Sequence, residues 1–217
     1  MSRVQWSSKD NIGYLVLSDP PTNQMTIALI DSLYSTVKSI NTDKLKGLIV
    51  SGQGRNFSSG AVLQELVSKI REETLLSDAG EILEAPIFMT KYISLMEIIE
   101  QMSVPVVAAI NGVCWGSGLE VALACHFRIC GEGATLGSPE SQFNLMPGMG
   151  ANKRLARILG KAQALYLLVS GKTYTAQDAL EMGVVDLVVG KKNVLQTSID
   201  VIEKFHQVEG LTHEERR

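Results

Sequence analysis

Apolar and polar residues alternate along the chain with two different periods. Runs with the spacing of strands lie at residues 3–7, 14–18, 47–51, 106–110 and 184–189. Between them, apolar residues recur at helical spacing over residues 27–40, 87–102, 152–159, 162–169 and 193–205. Strands and helices alternate, and the sequence contains no detectable internal repeat. The pattern therefore predicts an α/β fold with mixed strand pairing.

Turn and cap residues mark the ends of several predicted elements. The first two strand runs flank a turn at residues 10–13, which predicts an opening hairpin. Thr26 is the predicted N-cap of the first helix. Thr175, with Asp178 three residues later, predicts a capped helix that ends before Gly183. Each of these positions combines a cap residue with an apolar segment, so the boundaries follow from local chemistry.

Residues 105–150 combine a buried-strand pattern with several glycines. Val106 to Ile110 is an apolar run behind Pro105, and Gly116-Ser-Gly118 then opens an Ala/Leu-rich helical segment. A Gly-rich turn between a buried strand and a helix leaves backbone N–H groups free at the positive end of the helix dipole. The pattern therefore predicts a site for an anion, or for an oxygen that becomes negatively charged during a reaction.

Two glutamates lie in the same stretch, each at a predicted helix start. Glu120 falls in the first turn of the Gly-rich helix, and Glu140 follows Ser138-Pro139, a predicted N-cap and first helical residue. A single glutamate there is typical of a helix start. Because enclosing a carboxylate near apolar walls is costly, the pair together favours an acid/base role.

These residues resemble the motifs of the enoyl-CoA hydratase/isomerase (crotonase) superfamily. The similar segments are Ile110-Asn-Gly-x-x-x-Gly-x-Gly-x-Glu120, Pro139-Glu140 and Pro147-Gly-x-Gly150, with the two glutamates 20 residues apart as in the family's hydratases. The resemblance covers roughly residues 10–190. It implies a crotonase-like superhelix of ββα turns with a shortened C-terminal helical region. The chain then divides into a core domain of residues 1–190 and a C-terminal helix and tail of residues 191–217.

The resemblance also implies an acyl-thioester lyase. Glu120 and Glu140 would hold a water that adds to the β-carbon of a 2-enoyl thioester, giving a 3-hydroxyacyl product, or that leaves in the reverse dehydration. The thioester would be carried by coenzyme A or by an acyl carrier protein, in fatty acid metabolism or polyketide biosynthesis. Coenzyme A would be part of the substrate, with no separate cofactor. The family implies a homotrimer or a dimer of trimers.

An oxyanion hole is implied by a second match. Phe57-Ser-Ser-Gly-Ala61 is similar to a family segment that supplies one N–H, which the match assigns to Ser59. The second N–H falls to Ser117, three residues before the first glutamate. Trp115 and Gly116 would line the substrate pocket. Val62 stands where the family often has Asp, which argues against chemistry that needs an acid there.

Several alternatives remain open beside hydration. Isomerisation, decarboxylation and thioester hydrolysis use the same kind of oxyanion hole in this superfamily. The segment from Pro147 to Ala151 is similar to that of polyketide-tailoring decarboxylases, although those enzymes generally lack the paired glutamates. A non-catalytic partner subunit is another alternative. A dinucleotide-dependent oxidoreductase is disfavoured, because Phe57 occupies the third glycine position of G-x-G-x-x-G.

Composition narrows the remaining classes. The chain has 217 residues, of which 45% are hydrophobic and 20% charged, as expected for one soluble globular domain. A net charge of −3 without a basic stripe argues against nucleic-acid binding. No uncharged apolar run reaches about 18 residues, and no apolar signal core opens the chain, so neither a membrane span nor a signal peptide is expected.

The remaining candidate side chains favour structural roles. The three cysteines Cys114, Cys125 and Cys130 form no C-x-x-C pair, which predicts small core residues in a reducing cytoplasm and no metal site. His126 is predicted to be a satisfied residue at a helix end. Ser117 lacks the G-x-S-x-G spacing of a nucleophile, and residues 62–86 show no decided pattern.

Overall fold

The protein is described by a computed structural model that covers residues 3–76, 82–84 and 86–207. Its main sheet has six strands in the order β1-β2-β3-β6-β8-β11. β1 pairs with β2 in antiparallel fashion, and the other neighbours are parallel. These strands are β1 (Val4–Lys9), β2 (Ile12–Leu17), β3 (Gly47–Gly52), β6 (Val106–Ile110), β8 (Phe127–Gly131) and β11 (Leu187–Val189).

Two smaller sheets accompany the main one. β7 (Val113–Trp115) pairs in parallel with β9 (Thr135–Gly137), which is antiparallel to β10 (Thr173–Thr175). β4 (Leu75–Leu76) and β5 (Ile82–Glu84) form an antiparallel pair. The three-stranded sheet matters for function, because β7 carries the chain from the main sheet to the Gly-rich turn.

Helices follow the strands in alternation. They are α1 (Ile27–Ser39), α2 (Leu63–Glu73), α3 (Ile87–Glu100), α4 (Ser117–Ala124), α5 (Ala151–Leu159), α6 (Lys161–Ser170), α7 (Ala176–Met182) and α8 (Val194–Gln207). Short 3-10 helices span Pro139–Phe143 and Lys191–Asn193. Among the described residues no helix is long and apolar enough to cross a bilayer. The predicted α/β fold is confirmed.

The core lies on both faces of the main sheet. Along β6, Val106, Ala108 and Ile110 belong to a large cluster with α1, α3 and α4, while Val107 and Ala109 face the opposite side. That second side is covered by α8, whose buried residues include Val194 and Ile202. Parallel strands buried on both faces explain why β6 reads as a continuous apolar run.

The opening hairpin and the caps predicted at Thr26 and Thr175 are observed, although the hairpin loop is shorter than predicted because β1 extends to Lys9 and β2 begins at Ile12. The opening hairpin turns on Asp10 and Asn11, which have φ of 53° and 63°, the left-handed conformation of a two-residue hairpin loop. The Thr26 hydroxyl accepts a hydrogen bond from the Leu29 N–H. Thr175 and Asp178 form the reciprocal capping box. The boundaries derived from cap chemistry are therefore confirmed.

Three regions depart from the sequence pattern or fall outside it. The last strand begins at Leu187 rather than residue 184, because the Val184 and Val185 N–H groups both donate to the Ala179 carbonyl and close α7 instead. The undecided residues 62–86 contain α2, whose side chains are nowhere fully buried. Residues 208–217 of the predicted C-terminal helix and tail lie outside the described residues.

Candidate active site

The Gly-rich turn brings β7 to the start of α4 in a conformation that requires glycine. Gly116 has φ of 52°, and a Cβ placed on it would lie 2.9 Å from Glu140 Oε1. An L side chain would therefore be strained and would also meet the carboxylate. Glycine at this position lets Glu140 approach the first turn of α4.

A second backbone segment runs beside this turn. The Ser58 N–H donates to the Val113 carbonyl at 2.9 Å, and the Trp115 N–H donates back to the Ser58 carbonyl at 3.0 Å. Gly60 has φ of 87°, and a Cβ placed on it would lie 2.8 Å from the Trp115 carbonyl oxygen. Residues 58–61 and 114–117 are thus in close contact, and Trp115 and Gly116 lie at the junction, next to Glu140.

Two backbone N–H groups at this junction donate to no described residue. Ser117, the first residue of α4, has no intrahelical acceptor for its N–H, as expected at a helix start. The Ala61 N–H, directly after the left-handed Gly60, is likewise without a hydrogen bond within the described part of the chain. Both belong to segments that pack against each other.

The assignment of Ser59 as an oxyanion donor does not agree with the structure. The Ser59 N–H donates to the Thr22 carbonyl oxygen at 2.9 Å and is engaged within the protein. Thr22 lies in the loop after β2, far from Ser59 in sequence, so local pattern carries no signal for this bond. The sequence analysis did not identify Ala61, because its unengaged N–H depends on the left-handed conformation of Gly60, which the sequence alone does not show.

Glu120 is enclosed in the protein. It lies in the first turn of α4 with 2% of its surface exposed. Its Oε1 accepts hydrogen bonds from the Met149 N–H at 2.9 Å and the Ala151 N–H at 3.3 Å. Burial raises the pKa of Glu120 to about 7, and the charge of Glu140 contributes to the increase against the opposing effect of the two N–H donors. Such a group exchanges its proton near neutral pH.

Glu140 faces the same region from the 3-10 helix Pro139–Phe143. Ser138 does not cap this helix through its side chain, in contrast to the sequence prediction. Its hydroxyl instead donates to Glu140 Oε2 at 2.8 Å and orients the carboxylate. The charges of Glu120 and Glu140 both act on the buried Tyr92 hydroxyl. Glu120 lies in the first turn of α4, and Glu140 approaches Gly116, the residue before this helix, so both acids lie near the start of α4.

An ion-pair network supports the segment that holds Glu120. Arg154, which is 8% exposed, donates to the Met149 carbonyl at 3.2 Å and to Glu100 Oε2 at 2.8 Å. Arg157 contacts the other oxygen of Glu100. Since Met149 is one of the donors to Glu120, Arg154 fixes the loop that positions this carboxylate.

Other sequence candidates have structural environments. His126 Nδ1 accepts a hydrogen bond from the Val106 N–H at 2.9 Å, and its Nε2 lies 3.1 Å from the Glu100 carbonyl. Cys114, Cys125 and Cys130 are buried free thiols. These observations agree with the predicted core and helix-end roles. No group of three or more His, Cys, Asp or Glu within the described ranges is arranged to hold a metal ion.

A separate cavity of about 470 Å³ lies at the carboxyl ends of the parallel strands. Its lining contains neither Glu120 nor Glu140 and consists of Pro21, Arg55, Asn56, Gly112, Glu132, Gly133 and Lys191. Glu120 is enclosed, whereas Phe143 and Met146, in the segment that follows Glu140, are each 57% exposed. The candidate site is therefore defined by its polar groups rather than by an enclosed volume.

Comparison with known proteins places this geometry in a family. Residues 7–212 match the enoyl-CoA hydratase/isomerase family. The chain is 34% identical over 207 residues to a probable enoyl-CoA hydratase of Bacillus subtilis, covering 94% of this chain and 73% of that protein. It is 35% identical over 208 residues to the fatty acid oxidation complex subunit alpha of Shewanella frigidimarina, covering 91% of this chain but 27% of that longer protein.

Solved structures agree with the sequence matches. An enoyl-CoA hydratase from Bacillus anthracis superposes with a TM-score of 0.80 at 30% identity, covering 93% of this chain and 76% of that one. An enoyl-CoA hydratase from Thermoplasma volcanium gives a TM-score of 0.81 at 30% identity, covering 94% and 78%. The family match and the shared crotonase fold confirm the resemblance, and the chain belongs to the enoyl-CoA hydratase/isomerase family as an enoyl-CoA hydratase-like enzyme.

Proposed function

We propose that this protein hydrates a 2-enoyl-CoA thioester to the 3-hydroxyacyl-CoA, or catalyses the reverse dehydration. The observation that carries the proposal is the convergence of Glu120 and Glu140 on the first turn of α4, beside the unengaged N–H of Ser117. Hydration needs two positioned proton-transfer groups and one donor set for a carbonyl oxygen. A decarboxylase needs only the donor set, so the second carboxylate favours hydration.

The thioester carbonyl would accept hydrogen bonds from the Ala61 and Ser117 N–H groups. Negative charge develops on this oxygen as the enolate forms, and preorganised donors stabilise it by about 3 kcal/mol each. Ser117 lies at the positive end of the α4 dipole, which acts in the same direction. The contact of Gly60 with Trp115 supports the pairing, because it keeps the two donor segments together.

The two carboxylates would divide the proton transfers. Glu120 removes a proton from water as the water oxygen adds to the β-carbon, while Glu140 donates a proton to the α-carbon, so that the elements of water add across the double bond. Exchange with solvent then removes the proton from Glu120 and returns one to Glu140 for the next turnover. A pKa of about 7 lets Glu120 exist in both protonation states at neutral pH. The Ser138 hydroxyl supports Glu140 in one orientation.

Self-association as a homotrimer or a dimer of trimers is part of the proposal. On α6, the side chains of Leu165, Tyr166 and Val169 are 58%, 63% and 59% exposed. An exposed apolar face on one helix is typical of a protein–protein contact. The mass of the purified protein in solution tests this point independently of catalysis.

Glu140→Gln tests the catalytic assignment. With 2-butenoyl-CoA as substrate, we expect kcat to fall by about 10²–10⁴-fold while thioester binding is retained, because the amide cannot transfer the proton. Glu132→Gln, a change at an exposed glutamate outside the site, is the control and should leave kcat unchanged. Mass spectrometry of the wild-type product should show a gain of water. Wild-type turnover by the Glu140→Gln variant, or loss of carbon dioxide from a suitable substrate instead of hydration, would contradict the proposal.

A further inference from the structure

Tyr92 is a buried tyrosine that the proposed mechanism does not use. It lies on α3 and is 1% exposed. Its hydroxyl donates a hydrogen bond to the Ser117 carbonyl oxygen at 2.7 Å. Ser117 is the first residue of α4 and supplies one of the proposed oxyanion N–H groups. The phenol therefore connects α3 directly to the turn on which the proposed chemistry depends.

The hydrogen bond of the Tyr92 hydroxyl restricts the orientation of the Ser117 peptide group, which packing of the ring alone would not do. Phenylalanine would fill the same volume without needing a partner, whereas a buried hydroxyl costs about 1–3 kcal/mol unless it is hydrogen-bonded. The first carbonyl of a helix already accepts the intrahelical bond from the residue four positions later. The bond from Tyr92 is thus an additional, directional contact. Because the Ser117 carbonyl and N–H are attached to the same Cα, fixing one limits the orientation of the other.

We propose that Tyr92 is a positioning residue for the oxyanion hole, holding the first turn of α4 so that the Ser117 N–H points to the thioester carbonyl. This inference rests on the proposed function, in which that N–H stabilises the enolate. Tyr92 acts through Ser117 and contacts no reacting atom. Its effect falls on the transition state, where charge on the oxygen is largest, more than on substrate binding.

The electrostatic surroundings of Tyr92 agree with a donor role. Burial raises the pKa of Tyr92 well above its ordinary value of 10.0, and the charge of Glu120, followed by that of Glu140, adds to the increase. The phenol therefore stays protonated near neutral pH and does not act as a base. A permanently protonated hydroxyl at 2.7 Å is suited to hold a carbonyl in place.

The test removes only the hydroxyl, with a matched control elsewhere. Tyr92→Phe keeps the ring. Tyr174→Phe, on β10, removes a hydroxyl whose oxygen lies 3.3 Å from the Ser170 hydroxyl oxygen of α6 and makes no hydrogen bond to the Ser117 carbonyl. Two readouts are compared with wild type: kcat and KM for 2-butenoyl-CoA, and the backbone amide NMR signals of Ser117 and Gly118 in the ligand-free protein. Circular dichroism verifies that each variant is folded.

We expect Tyr92→Phe to lower kcat by about threefold to tenfold with KM changed less than about twofold, because a displaced oxyanion donor weakens transition-state binding. The Ser117 and Gly118 amide signals should shift and their hydrogen exchange should accelerate. Tyr174→Phe should change neither readout. An unchanged kcat, or unchanged amide signals, or an equal response of both variants would overturn the inference.

The outcome separates this inference from the proposed function. If wild-type protein hydrates no enoyl thioester, the proposed function fails, and the amide signals alone then decide whether Tyr92 holds the turn. If Tyr92→Phe does not fold, 3-fluorotyrosine at position 92 supplies a stronger hydrogen-bond donor in nearly the same volume. The Ser117 and Gly118 signals should then move, and the absence of any movement would overturn the inference.

Discussion

Replacing Glu120 by glutamine should change how the free energy of unfolding depends on pH. In the native protein burial raises the pKa of Glu120 from 4.5 to about 7. In the unfolded chain the pKa of Glu120 is the ordinary value of 4.5. Between pH 4.5 and about 7, the Glu120 carboxyl is therefore protonated in the native state but ionised in the unfolded chain. Stability therefore falls as pH rises through this window, and the full cost of the buried charge is present above about pH 7.

The magnitude follows from the size of the shift. A pKa difference of one unit corresponds to about 1.4 kcal/mol, so the shift at Glu120 corresponds to about 3 kcal/mol of lost stability above neutral pH. Glutamine carries no charge at any pH, and its amide oxygen can still accept the Met149 and Ala151 N–H bonds. The variant should resemble wild type near pH 4.5 and be more stable by about 3 kcal/mol near pH 8.

Urea unfolding followed by circular dichroism measures this difference. Both proteins are compared at equal concentration at pH 5, 6, 7 and 8, with Glu132→Gln as a control for the loss of one exposed negative charge. Only Glu120→Gln should flatten the pH dependence. If the difference between Glu120→Gln and wild type stays constant over the whole range, Glu120 does not carry a buried charge and the account of its environment is wrong.

Two further changes test the surroundings of the acid pair. Arg154→Gln should lower the free energy of unfolding by about 2 kcal/mol, because Glu100 loses a partner that is largely buried. The same change should raise the pKa of Glu120, because the charge of Arg154 lowers that pKa in the wild-type protein. An unchanged urea midpoint and pH profile would contradict this. Gly60→Ala should reduce kcat about tenfold or more, because a Cβ at this position would lie 2.8 Å from the Trp115 carbonyl oxygen. Gly54→Ala is the matched control, because Gly54 also has a positive φ but a Cβ there would meet no atom within 4 Å. Equal losses in the two alanine variants would show that the contact does not matter for the site.

Much of the fold follows from local chemistry. The β6 strand is visible because it is buried on both faces, and α7 is visible because Thr175 and Asp178 can cap it reciprocally. The glycine residues before Glu120 and the proline before Glu140 predict that both acids lie at helix starts. In each case the signal is a pattern within a few neighbouring residues, so a single sequence contains it.

The features of the candidate site that the sequence does not predict depend on contacts between segments that are distant in sequence. The N–H of Ser59 is used by Thr22 from the loop after β2, which leaves Ala61 as the unengaged donor. α2 carries apolar residues at helical spacing, yet none of its side chains is fully buried, so the depth of its packing is set by the rest of the fold. None of these partners can be deduced from spacing, because each requires the folded arrangement of the loops.

The position of a bound thioester carbonyl tests the central claim most directly. A crystal structure of the protein with a slowly reacting acyl-CoA should place that oxygen about 3 Å from both the Ala61 and the Ser117 nitrogen atoms, with the α- and β-carbons facing Glu140 and Glu120. A carbonyl oxygen bound away from these two N–H groups, or an acyl chain directed away from the two carboxylates, would contradict the account.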